Sequence, residues 1–268
     1  MQAAILGVVQ GLTEFLPISS SGHLILVPWL LGWREHSLTF DLALHLGTAM
    51  SLLAYFWREW ARLGMAVLAG LRNRAAWSTP EWHLAWMLVG GSAPAAVAGL
   101  LFEKVIEENV RQPWLVGILL IVFGVALWFA DRAVEPGRSP RTVRWRDTVV
   151  VGCAQVLALL PGVSRSGVTI TAGLLLGLDR AGAARFSFLL SAPIIFGAAL
   201  YKLRILVKEP LAASEAASFV LGAIVAAVVG AAAIGFLLRM LARSSLLSFV
   251  VYRVIVGVAA IALSFSGR

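Results

Sequence analysis

Six stretches of this chain, residues 40–57, 83–102, 114–130, 187–203, 217–238 and 246–266, run for about the length of a membrane-crossing helix and carry few charges. Inside a bilayer every backbone amide and carbonyl must find its partner within the protein, so only helices and closed barrels can cross. None of the six shows the period-two alternation of a barrel strand, and the predicted class is an all-α polytopic membrane protein. Composition agrees: 60% of residues are hydrophobic and 13% charged, where a soluble domain has about half and about a quarter. The net charge of +8 is therefore a topology signal and not the footprint of a nucleic-acid-binding protein. A single cysteine, Cys153, excludes a disulfide within the chain and is expected as a small buried apolar residue. The apolar run from Met1 has neither a basic leader nor an A-x-A-like site, so no cleavable signal is expected.

Four apolar pieces are too short to span. Residues 2–16 and 21–32 flank Pro17 and a serine run, and residues 148–160 and 166–178 flank Pro161, Gly162 and Ser164-Arg165-Ser166. Proline cannot continue a helix, so each pair is predicted to be a re-entrant hairpin broken at its proline. Arginines orient the whole. Arg58, Arg62, Arg72 and Arg74 form one loop cluster and Arg132, Arg138, Arg141, Arg144 and Arg146 another, which the positive-inside rule places in the cytoplasm. The loop between them, 103–113, mixes Lys104 and Arg111 with Glu103, Glu107 and Glu108. Both chain ends then lie outside, with the first hairpin entering from outside and the second from the cytoplasm. Arg204 and Lys208 fall on the outer side in this scheme. Tryptophans such as Trp57, Trp60 and Trp82 suit interfacial belts.

The two halves align. Gly7, Gln10, Pro17, Ser19, Gly22 and Gly32 match Gly152, Gln155, Pro161, Ser164, Gly167 and Gly177, and Phe40 and Tyr55 match Phe186 and Tyr201 more loosely. One hairpin plus three spans per half gives an odd number of crossings, so repeats 1–145 and 146–268 are expected to be inverted within a single membrane domain. Broken helices then meet near the midplane and form the site.

The polar residues gather at the breaks. Gln10 and Glu14, four apart, share a helix face that ends one turn later at Pro17. A carboxylate facing lipid costs several kcal/mol, so Glu14 is expected to face a cavity or a partner. Ser19, Ser20 and Ser21 fall at the start of the following helix, and Ser164, Arg165 and Ser166 do the same in the second hairpin. Two helix N-termini with free N–H groups, plus the Arg165 guanidinium, predict an anionic ligand. His23 lies one turn into its helix, and with Glu14 and Ser20 it makes a workable nucleophile arrangement in which either Ser20 or His23 attacks phosphorus. Asp41 is read as structural, His45 is left open between structure and function, and Arg253, inside the last span, is expected to need an acidic partner or an anionic ligand.

These residues carry a resemblance. Gln10-Gly-Leu-Thr-Glu14, followed by Phe-Leu-Pro-Ile-Ser-Ser-Ser-Gly-His23, resembles the (E/Q)-x-x-x-E motif and serine-histidine segment of the undecaprenyl-diphosphate phosphatases, or bacitracin-resistance proteins. Pro161-Gly-Val-Ser-Arg-Ser-Gly-Val-Thr169 resembles their P-G-x-S-R-S-x-x-T motif, and the closing Tyr252-Arg-Val-Ile-Val-Gly257 also fits. The resemblance implies hydrolysis of undecaprenyl diphosphate to undecaprenyl phosphate, the carrier for peptidoglycan precursors. It also implies a divalent metal, Mg²⁺ or Ca²⁺, an outward-facing site in the bacterial inner membrane, and a homodimer. On this reading Glu14, Ser20, His23 and Arg165 are the catalytic residues, and Ser19, Ser21, Ser164, Arg165, Ser166 and Thr169 bind phosphate. Gln10 supports, and Glu14 is the one candidate metal ligand in the motif, because an amide at position 10 cannot ionise. The rival expectation is a transporter or flippase of a phosphorylated polyprenyl lipid, since inverted repeats with broken helices are also a transporter plan.

Overall fold

A computed structural model describes residues 1–34, 37–133, 143–208 and 213–266, and within them the side chains of all but residues 38, 103, 104, 107, 108 and 201–214. Arg138 and Arg141 of the second arginine cluster lie outside the described residues, as do the side chains of Glu103, Lys104, Glu107, Glu108, Tyr201, Arg204 and Lys208.

The described residues form eleven α-helices: α1 (Gln2–Phe15), α2 (Ser20–Leu31), α3 (Leu38–Tyr55), α4 (Trp57–Arg72), α5 (Pro80–Asn109), α6 (Pro113–Arg132), α7 (Trp145–Val156), α8 (Arg165–Leu175), α9 (Arg180–Lys208), α10 (Ala213–Leu241) and α11 (Leu247–Phe265). Five of them, in α5, α6, α9, α10 and α11, contain segments long and apolar enough to cross a membrane. The sixth expected span, 40–57, is the 18-residue α3. It carries Asp41, His45, Thr48 and Ser51. The four short pieces are α1, α2, α7 and α8, none longer than 14 residues. At a rise of about 1.5 Å per residue, such helices fall short of the bilayer core.

Three expectations are corrected. Arg58, Arg62 and Arg72 do not sit in a loop. They lie on α4, an amphipathic helix that buries Leu63 and Gly70 while exposing Met65, Leu68 and Leu71. Likewise the predicted loop beginning at 103 is helical as far as Asn109, because α5 runs 30 residues without a breaker at that end. Cys153 is exposed, not buried. In a membrane protein the lipid-facing side of a helix is as apolar as its packed side, so hydropathy does not tell the two apart.

Packing is closest between α3 and α10, α1 and α10, and α6 and α11. Small residues let these backbones approach, as membrane helices require when no hydrophobic effect drives them together. At the α6–α11 crossing two glycines face each other: a Cβ on Gly117 would lie 2.7 Å from the Gly257 carbonyl, and one on Gly257 would lie 2.6 Å from the Gly117 carbonyl. Gly117→Ala is therefore expected to push the helices apart and to cost about 1–3 kcal/mol, read as a lower unfolding temperature in detergent. An unchanged midpoint would contradict the close crossing. The main core gathers around Phe15, Phe56 and Phe188, with Phe15 edge-on to Phe188 at 5.5 Å between ring centres. Phe15 is the last residue of α1, so the core fixes the chain just before it breaks at Pro17.

Candidate functional site

The two breaks are built alike. Ser19 and Ser164 are the N-caps of α2 and α8, and each side chain accepts from the backbone N–H three residues on, Gly22 and Gly167. They are the two non-glycine residues with positive φ among the described residues, at 77° and 72°. That region is costly for an L-residue and persists where the surroundings enforce it. The enforcement is mutual. Ser19 Oγ also accepts from the Gly162 N–H at 3.1 Å, while Ser166 Oγ donates to the Leu16 carbonyl at 3.1 Å. Each break thus holds the other.

Arg253 closes the junction from α11. It is fully buried, and where an acidic partner or an anionic ligand is expected it meets backbone. Its nitrogens donate to the carbonyls of Pro17 (3.1 Å), Gly162 (2.9 Å), Val163 (3.0 Å) and Leu120 (3.0 Å), with a longer bond to Leu119. Carbonyls at a helix break have no intrahelical donor, so they supply the negative partial charge that a buried guanidinium needs.

Beside this junction lies a cavity of about 220 Å³ lined by Glu14, Ser20, Ser21, Ser164 and Arg165. Glu14 Oε2 accepts from Ser20 Oγ at 2.6 Å and from Gln10 Nε2 at 3.1 Å, while Oε1 accepts from Arg165 Nη2 at 3.0 Å. One carboxylate from the first half, a serine three residues past Pro17, and one guanidinium from the second half form a single charge-assisted network. Arg165 spends one nitrogen on Glu14, and its Nε and Nη1 have no hydrogen-bond partner among the described residues although buried.

A profile of the family described as "Bacitracin resistance protein BacA" matches residues 3–259. The chain belongs to the BacA family. Relatives match along nearly their whole length. The "Undecaprenyl-diphosphatase" of Pelobacter propionicus is 47% identical over 268 residues, which is 100% of this chain and 98% of the relative. That of Moorella thermoacetica is 48% identical over 268 residues, 100% of this chain and 99% of the relative. That of Geobacter sulfurreducens is 48% identical over 267 residues, 99% and 98% of the two chains.

In this BacA-family chain the remaining motif residues stand apart from the cavity. His23 Nδ1 donates to the Ser19 carbonyl at 2.7 Å, and its Nε2 pairs with the Tyr252 hydroxyl at 2.7 Å. Both ring nitrogens are therefore engaged away from Glu14 and Ser20. Thr169 Oγ1 bonds the Arg165 carbonyl and Ser187 Oγ, and Ser166 bonds Leu16 and Ser164. Ser19 bridges the breaks, as above. Two further polar residues line the cavity, one of them His45, which the sequence leaves open between structure and function. His45 lines it from α3 with Nδ1 donating to the Asp41 carbonyl, and Gln155 lines it from α7. Gln155 had a sequence signal, its alignment with Gln10, but no charge to draw attention.

Proposed function

We propose that this chain hydrolyses undecaprenyl diphosphate to undecaprenyl phosphate and inorganic phosphate, recycling the lipid carrier of peptidoglycan synthesis and so conferring bacitracin resistance. The observation that carries the reading is the Ser20–Glu14–Arg165 network facing a cavity, in a chain whose full-length relatives are named undecaprenyl-diphosphatase.

Phosphoryl transfer asks a protein for position and for charge stabilisation. In the proposed mechanism Ser20 Oγ attacks the terminal phosphorus as its proton passes to Glu14 Oε2, already 2.6 Å away. The bond to the bridging oxygen breaks, undecaprenyl phosphate leaves with that electron pair, and Glu14 hands the serine proton to the departing oxygen and is a carboxylate again. Arg165 Nε and Nη1 take the phosphoryl oxygens, and the α2 and α8 N-termini add partial positive charge. Water then attacks the phosphoserine, with Glu14 as base, and releases phosphate. His23 positions Ser19 through its carbonyl. Ser21 and Ser164 line the phosphate site, and Ser166 and Thr169 hold its second loop.

A divalent cation, Mg²⁺ or Ca²⁺, fits this site only as one carried by the diphosphate. No group of three His, Cys, Asp or Glu among the described residues could hold it alone. Mg²⁺ is commonly held by one or two carboxylates plus substrate phosphates. Glu14 would be that carboxylate, and Gln10 Oε1, buried and without a partner among the described residues, a neutral ligand beside it. The cation would supply charge neutralisation on the diphosphate.

The matching caps and positive-φ serines of the two breaks support an inverted repeat, 1–145 and 146–268, each half a re-entrant hairpin with three crossings. The proposed setting is the bacterial inner membrane, as a homodimer, with the cavity facing outward.

Phosphate release from undecaprenyl diphosphate by the purified chain tests the activity; a pure carrier of phosphorylated lipid would release none. Acid quenching during turnover with terminally ³²P-labelled substrate decides the nucleophile. The expected result is an acid-stable phosphoserine at residue 20. Label on an acid-labile histidine would reassign the attack to His23.

A further inference from the structure

The cavity contains a second polar group that the proposed mechanism does not use. Gln155, in the last turn of α7, is 2% exposed, and neither its Nε2 nor its Oε1 has a hydrogen-bond partner among the described residues. A buried amide left unpaired is expensive, and such groups persist where a ligand or another role needs them. Among the side chains lining the cavity, Gln155 and Arg165 are the two with buried polar atoms in this state.

Its counterpart in the first half explains why. Gln10 and Gln155 occupy equivalent places, seven residues before Pro17 and six before Pro161. Four residues on, however, the first half has Glu14 and the second has Leu159. Gln10 therefore gives its N–H to the carboxylate at 3.1 Å, and the same amide in the second half has no acid to serve. Leu159 also lines the cavity, so the neighbour that might have bonded Gln155 is an apolar wall. The equivalent residues have been put to different uses.

We propose that Gln155 is a substrate-binding residue, whose Nε2 donates to a phosphoryl oxygen of the diphosphate group that Arg165 holds from the other side. This rests on the phosphatase reading of the cavity. An amide suits the position better than a second cation: it donates to phosphate without adding charge beside Arg165, and it does not pair with Glu14. A carboxylate there would repel the ligand.

The test uses the full chain, purified in detergent, with Gln155→Leu and Gln155→Ala. Leucine keeps the bulk and removes both polar atoms, so a purely structural view and a binding role diverge. Removing unpaired polar atoms from an apolar setting does not lower stability, so Gln155→Leu is expected to unfold at or above the temperature of the unmodified chain. Its KM for a prenyl diphosphate is expected to rise about 10- to 150-fold, by the scale of one lost bond to a charged group. Inorganic diphosphate serves as a probe independent of turnover. It is expected to raise the unfolding temperature of the unmodified chain, with most of that shift lost in both variants. A change confined to the prenyl substrate would mean that Gln155 reads the lipid-borne group, and a change in both that it reads diphosphate from either source. Unchanged KM and unchanged diphosphate shift in the variants overturn the proposal, as does a Gln155→Leu chain that unfolds earlier. Failure of the phosphatase reading is separate: it appears as no phosphate release by the unmodified chain, and the shift with inorganic diphosphate still decides Gln155.

Discussion

Arg165→Ala is expected to reduce phosphate release from undecaprenyl diphosphate by about 10³-fold, the scale on which a transition-state cation or oxyanion donor acts. Two effects combine in that loss. The transferring phosphoryl group no longer meets the two guanidinium nitrogens that have no hydrogen-bond partner among the described residues. In addition Glu14 loses the cation held 3.0 Å from its Oε1, and breaking a buried pair by removing one partner costs about 3–5 kcal/mol of stability. A companion variant separates them. Arg165→Lys keeps a positive charge near Glu14 and should recover much of the stability, but a single ammonium cannot serve Glu14 and the phosphate as a planar guanidinium does. Its unfolding temperature should therefore return further toward that of the unmodified chain than its turnover does. Near-normal phosphate release by Arg165→Ala would sink the assignment.

Much of this site was legible because prolines and charges are legible. Pro17 and Pro161 mark the two breaks because each stands beside a serine-rich stretch, whereas Pro28, Pro94 and Pro193 lie inside helices, and the spacing of Gln10 and Glu14 puts both on one face. An ionised carboxylate and a guanidinium in an apolar chain demand partners, so their convergence could be expected before it was seen. Other features have no such signature. The partners of Arg253 are backbone carbonyls, which every residue carries, and only the tertiary fold decides which five gather. Gln155 is neutral, and its role turns on the absence of an acid at Leu159. For α4 the signal was present but was read by charge alone: arginines at 58, 62 and 72 are interleaved with apolar residues at helical spacing, and periodicity outranks charge counting there. The exposure of Cys153 could not be read at all from an apolar helix with lipid on one side and protein on the other.

The second large effect falls on stability. Arg253→Met is expected to destabilise the chain by on the order of 5 kcal/mol, although methionine fills much of the volume and removes a buried charge. Removing a buried ion is often harmless or favourable when its partners go with it. Here they stay. Leu119 and Leu120 lie within α6, where helical N–H groups remain available, but the carbonyls of Pro17, Gly162 and Val163 lie at the breaks. Each buried carbonyl without a donor costs about 1–3 kcal/mol, and three of them give the expected sum. The positive-φ serines add to it, since Ser19 and Ser164 keep that geometry only while the two breaks stay bonded to each other. Lysine offers three donors from one nitrogen, too compact to reach Pro17 on one side and Gly162 and Val163 on the other, so Arg253→Lys should restore only part of the loss. Thermal unfolding in detergent measures both variants. If Arg253→Met unfolds at the temperature of the unmodified chain, the guanidinium is not what holds the two breaks together, and the alignment of Ser20 with Arg165 must then depend on the serine contacts alone.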